Sequence, residues 1–114
     1  MTPEDAVRAF FAAYSQGHPE QFDQCVSPDY VDYGHTPPGR GPLGARDDYE
    51  HAVQVAGGVT RYDIDALVLR DDTVAVAWSG RLPNGSGYRG LSLYEVVEGK
   101  VAETRHARIG SLPV

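Results

Sequence analysis

The chain has 114 residues, ordinary apolar and charged fractions, a net charge of −6 and a single cysteine. That length suits one domain able to bury about two thirds of its unfolded surface, and the acidic balance without a basic run argues against a nucleic-acid partner. No apolar run approaches the ~20 residues of a membrane span, so no membrane association is expected. The start Met1-Thr2-Pro3-Glu4-Asp5 lacks the basic and apolar regions of a signal peptide. Lone Cys25 excludes an internal disulfide and sits in an apolar pattern, which reads as core and fits a cytoplasmic location.

In chain order, Thr2 reads as an N-cap with Pro3 at the first helical position and Glu4 and Asp5 in the first turn. Val7, Phe10, Phe11 and Tyr14 follow at helical spacing, and Gly17 closes the helix. Pro19 opens a shorter helix with Phe22, Cys25 and Val26 on one face, and Pro28 ends it. Tyr30-Val31-Asp32-Tyr33-Gly34-His35 opens as a short strand and delivers a carboxylate, a phenol and an imidazole within four positions. The Gly/Pro run from Thr36 to Pro42 can then hold polar groups at a cavity mouth with little flexibility. Ala45, Tyr49, Ala52, Val53 and Ala56 mark a third helix, stopped by Gly57-Gly58.

From Val59 the period changes to two. Arg61 to Arg70 reads as a strand with Ile64, Ala66 and Val68 opposed to Asp63, Asp65, Leu67 and Leu69. Thr73 to Leu82 is the next strand, Pro83-Asn84-Gly85-Ser86 a hairpin signal, and Tyr88 to Val96 the strand after it. Val97-Glu98-Gly99 is expected to turn as a three-residue loop with Gly99 left-handed, pairing Val96 with Lys100 of a last strand reaching Ile109. Three helices, one early strand and a four-stranded meander make an α+β domain. Several strands carry apolar residues on both faces, and helices cover only one face, so a homodimer is expected.

This order is similar to the cone-shaped, cystatin-like fold of the nuclear transport factor 2-like (NTF2-like) superfamily, and within it to the SnoaL-like polyketide cyclase (ester cyclase) branch. The matching residues are the first amphipathic helix, Tyr30-Val31-Asp32 followed by Pro37-Pro38-Gly39, and Gly44 opening a helix that contains Tyr49. Further matches are Asp72 to Trp78, Gly90-Leu91-Ser92-Leu93-Tyr94, and Gly99-Lys100-Val101-Ala102-Glu103. The resemblance implies a single domain over 1–114, with three helices packed on a curved antiparallel sheet around a mostly apolar cavity for a small hydrophobic molecule. In that branch an acid on the last strand works as the general acid/base. Here the last strand reads Glu103-Thr104-Arg105-His106-Ala107-Arg108, where the family more usually shows a tryptophan and then an aspartate.

With Val96 paired to Lys100, even-numbered residues of the last two strands share a face. That set is Ser92, Tyr94, Thr104, His106 and Arg108. The opposite set, Leu91, Leu93, Val97, Val101 and Ile109, reads as packing or dimer surface. His106 is the leading catalytic candidate, because imidazole gives or takes a proton near neutrality as enolate chemistry requires. Asp32 is the second, a strand-end carboxylate at an apolar cavity that can act as acid or base. Arg108, if it faces inward, stabilises an enolate or binds a substrate carboxylate. His35 completes an Asp/His pair, and Tyr14, Tyr33, Tyr94, Ser92 and, by resemblance, Trp78 supply walls. His18, His35, His51 and His106 lie on separate elements without zinc-ligand spacing, and no phosphate-cradling glycine loop is present, so neither metal nor cofactor is expected. Two functions fit. One is a cofactor-free enzyme of secondary metabolism (cyclase, isomerase, dehydratase or hydrolase) acting on a polyketide-like carbonyl compound. The other is a non-catalytic binder of a hydrophobic ligand, or a dimerisation module.

Overall fold

The computed structural model describes residues 1–113. Helix α1 spans Pro3–Ser15 and starts from a reciprocal capping box, in which the Thr2 hydroxyl accepts from the Asp5 amide and the Asp5 carboxylate accepts from the Thr2 amide. Its stripe of Val7, Phe10 and Phe11 is buried. A single 3₁₀ turn, Pro19–Gln21, leads into the one-turn helix α2, Phe22–Cys25. The second helix is therefore shorter than expected: Val26 already begins strand β1, Val26–Asp32, and Pro28 lies inside that strand rather than ending a helix. Proline is tolerated there because the ladder skips from Val26 to Val31, so the residues between need donate no ladder hydrogen bond. Strand β2, Gly39–Arg40, is a two-residue return from the proline loop. Helix α3 spans Gly41–Ala56, three residues before Gly44, and ends at left-handed Gly57.

The meander is β3 (Arg61–Arg70), β4 (Thr73–Arg81), β5 (Gly87–Val97) and β6 (Lys100–Ser111). The six strands lie in the order β2-β1-β6-β5-β4-β3. The meander is antiparallel as expected, but β1 joins β6 in parallel, which makes the sheet mixed. A long crossover through α3 and three strands separates the partners, the length of connection that a parallel pair requires. The helices pack on one face of this sheet.

Bulges decide which side chains face the helices. Asp65 is an extra residue in β3 between the pairs Ile64↔Trp78 and Ala66↔Ala77. Beyond it the facing exchanges, so Leu67 packs on the core while Val68, expected beside Ile64, is exposed. The β5–β6 connection is one residue tighter than expected. Val97 pairs with Lys100, and Glu98 and Gly99 both take positive φ (53° and 76°), the two-residue hairpin turn whose twist suits the strands. Ala102 then bulges, since Val96 pairs with Val101 but Glu95 with Glu103. The bulge restores what the shorter turn removes. Tyr94, Ser92, Thr104 and His106 consequently share the inner face as expected, whereas Val101, expected outside, is fully buried. A further bulge at Ile109 leaves Arg108 opposite Gly90 on that inner face.

Candidate active site

The helices and the concave face of the sheet enclose a cavity of about 240 Å³. Tyr14, Asp32, His35, Trp78, Ser92, Tyr94, His106 and Arg108 all line it. Tyr33 does not: it is about half exposed, with the Arg105 guanidinium 4.4 Å from its ring centre. Glu103 makes its contact with Arg105, at 3.3 Å.

At one end Asp32 is the organising group. Its residue is only 4% exposed, because β1 carries it into the sheet beside Thr104 of β6. One carboxylate oxygen accepts from the Gly34 amide at 2.7 Å, which folds the chain back toward the cavity. The other lies 3.2 Å from His35 Nε2. His106 Nδ1 approaches from the opposite side, 4.0 Å from Asp32 Oδ1. A side chain at Gly34 would lie 2.2 Å from the His106 ring, so the loop rests against that imidazole only because glycine stands there.

His35 meets a second carboxylate. Asp48 of α3 sits 2.5 Å from the same Nε2 and accepts a hydrogen bond from the Tyr14 hydroxyl. Nε2 thus faces two carboxylates, although its geometry to neither is that of a hydrogen bond. Burial above all, then the Asp48 charge, pushes the Tyr14 phenol well above its ordinary range, and it stays a donor. Tyr14 of α1, Asp48 of α3, His35 of the proline loop, Asp32 of β1 and His106 of β6 thus gather in one cluster. Asp48 was missed in the sequence. Its signal was present: it lies three residues after Ala45 and four before Ala52, both on the inward stripe of the third helix.

The rest of the wall is aromatic. The Trp78 indole donates to Ser92 Oγ at 2.8 Å and lies across Gly90, where an added Cβ would come within 2.3 Å of the indole ring. Tyr94 sits between Ser92 and Thr104, and burial raises its phenol above the usual range. Tyr62 and Tyr88, neither singled out by the sequence, share a hydroxyl–hydroxyl hydrogen bond of 3.0 Å. The Arg108 guanidinium lies 3.8 Å over the Tyr88 ring.

Two histidines of separate elements, without zinc-ligand spacing in sequence, meet here: the His35 and His106 ring centres are 6.0 Å apart. With Asp32 they present ligand atoms within 4.8 Å of one another.

A mixed curved sheet under three helices, with a polar-ended cavity between them, defines the nuclear transport factor 2-like, cystatin-like class. The sequence profile of the SnoaL-like domain matches residues 7–104, and the chain belongs to that family. Among solved structures, an NTF2-like protein of unknown function from Cytophaga hutchinsonii superposes with a TM-score of 0.77 at 15% identity, covering 96% of this chain and 91% of that one. IdmH from Streptomyces antibioticus, named a putative polyketide cyclase, gives 0.74 at 19% identity over 95% and 92% of the two chains. TerC, crystallised with polyporic acid, gives 0.81 at 16% identity over 94% and 91%. At these identities the likeness is one of fold. No curated protein sequence matches the chain. Among the described residues no helix is long and apolar enough to cross a membrane.

Proposed function

We propose that the chain is a cofactor-free acid/base enzyme acting on a small carbonyl compound, with His106 and Asp32 as the proton-transfer pair. The observation that carries this reading is Asp32 itself, a carboxylate with almost no solvent contact held between two imidazoles at the end of an aromatic cavity. Such a site suits removal of a proton from carbon next to a carbonyl. The proton passes to His106, the electron pair moves onto the carbonyl oxygen as an enolate, and the Asp32 charge stabilises the imidazolium formed. From that enolate, attack on a second carbonyl gives cyclisation, loss of a β-hydroxyl gives dehydration, and return of the proton to another carbon gives isomerisation. Arg108 adds positive potential that favours an anionic intermediate. His35 and Asp48 supply a second proton donor and its counter-charge on the facing wall. The polyketide cyclase name of IdmH supports a carbonyl-rich substrate as the class.

The test is α-proton exchange. A two-ring ketone such as 2-tetralone in D₂O, followed by NMR, should lose its α-hydrogen signal faster with the protein than with free imidazole. His106→Ala should slow that exchange by roughly two to four orders of magnitude, the usual worth of a positioned base. Unchanged exchange in His106→Ala would favour the second reading, a hydrophobic-ligand binder with no chemistry at this pair.

We also propose that the chain forms a homodimer through the outer face of the sheet. Val68, Leu91, Val97 and Ile109 each stand half exposed or more on that face, apolar side chains that no helix of the chain covers.

A further inference from the structure

The cavity is polar along its length. Thr104, His106 and Arg108 are successive inner-face residues of β6, each step spanning about 7 Å of strand. Asp32 lies beside Thr104 at one end, with His35 and Asp48 close by. At the other end the Arg108 guanidinium rests over Tyr88, whose hydroxyl meets that of Tyr62. Among the described residues no carboxylate lies within ion-pairing distance of Arg108, although each of the two cavity histidines has one within 4.0 Å. The Arg108 guanidinium rests over Tyr88, one strand step from His106, where its charge still favours an anionic intermediate. It is placed to read a second group on the same ligand. The two carboxylates at the opposite end repel an anion, so an anionic group has one favourable orientation in this cavity.

We propose that the ligand is a small carboxylate, a one- or two-ring compound whose carboxylate pairs with Arg108 while its acidic C–H lies one strand step away at His106. The size follows from the volume. An apolar cavity near 150 Å³ holds about one benzene ring and drug-sized pockets begin near 300 Å³, so about 240 Å³ suits a one- or two-ring body. Arg108 matches a carboxylate because its planar fork donates two parallel hydrogen bonds, and the Tyr62–Tyr88 hydroxyl pair has a further proton to offer. Burial drives the Tyr62 phenol above its usual range, which keeps it protonated and a donor. Trp78 and Tyr88, 5.5 Å apart and nearly perpendicular, pack edge to face and together give the cavity an aromatic wall against which a ring can lie.

The proposal rests on the proton-transfer reading for which end of the ligand reacts, but its test is binding alone. Calorimetric titration of the full chain with 2-naphthoate and with its neutral isostere 2-naphthamide compares charge at constant shape. Wild type should bind the naphthoate about tenfold or more tightly than the amide, the range of a charge-assisted contact. Arg108→Gln should erase that preference, Arg108→Lys should keep part of it, and His106→Gln should keep nearly all of it. Equal binding of the two probes, a preference that survives Arg108→Gln, loss of the preference in His106→Gln, or no binding of either at millimolar concentration overturns the assignment. None of those outcomes bears on whether His106 moves a proton, which the exchange assay reads separately.

Discussion

The two faces of the meander are built from the same strands and both carry apolar side chains, yet they meet different surroundings. On the concave face Trp78, Tyr94, Val74, Val76 and Val96 are buried, with Tyr94 against Phe10 and Phe11 of α1. The polar groups among them are matched, as when the Trp78 indole donates to Ser92. On the convex face Leu91, Leu93, Val97 and Ile109 alternate with Arg105, Glu103 and other charged neighbours and meet no helix. Apolar character alone does not separate a core from an interface. What separates them is whether an element of the same chain covers the face, and whether its polar groups find partners there.

Paired substitutions on the two faces sharpen that contrast. The largest difference should be catalytic: His106→Ala lowers exchange of 2-tetralone by roughly two to four orders of magnitude, whereas Leu91→Ala, on the same strand pair but the opposite face, leaves the rate within about twofold. Equal losses in the two variants would show that the site is not where the concave cavity puts it.

Stability should split in the same direction. Trp78→Ala removes a buried indole that packs on Tyr62 and Tyr88 and should cost ~3–5 kcal/mol in a denaturant titration. Gly90→Ala should cost ~1–3 kcal/mol, because its new methyl group meets both the indole and the Ala107 carbonyl of β6 and both must give way. Little change in either would mean that the inner wall is loosely packed.

Association should belong to the convex face alone. Leu91→Asp combined with Leu93→Asp should give a folded monomer by light scattering, with its circular dichroism intact. Tyr94→Asp, one position along the strand and on the inner face, should fail to fold. A monomeric wild type at micromolar concentration would remove the homodimer proposal.

The smallest effect is an alkaline limb. Burial above all raises the Tyr14, Tyr30, Tyr62 and Tyr94 phenols above the ordinary 10.0, and pushes the Cys25 thiol from 9.0 to about 11. The folded state keeps protons that the unfolded chain releases, so this contribution is fully present below about pH 9 and is lost progressively as pH rises. The urea midpoint should therefore fall from about pH 9 upward. A midpoint that stays flat or rises to pH 11 would show these groups to be more solvated than they are here.

What the sequence determined by itself was local. Thr2 and Asp5 carry the capping box in four residues, Gly57 stops α3 by accepting the left-handed conformation, Asn84-Gly85 turns the β4–β5 hairpin, and Arg61 to Arg70 were legible as a strand end to end. Each depends on hydrogen bonds or dihedral preferences within a few positions. Even the inward facing of His106 was readable, though for the wrong reason, since a shorter turn and the Ala102 bulge offset one another. Only the tertiary structure decided the parallel pairing of β1 with β6, the Asp65 bulge that turns Val68 outward, and the burial of Val101. A bulge answers to what the partner strand and the core require, and neither is written in the bulged segment. The same holds for the site. Asp32 and His106 stood out as residue types, but Asp48 becomes a site residue only when α3 lies across α1 and the proline loop, bringing it to Tyr14 and His35. A carboxylate on a helix has no function of its own until packing supplies its neighbours.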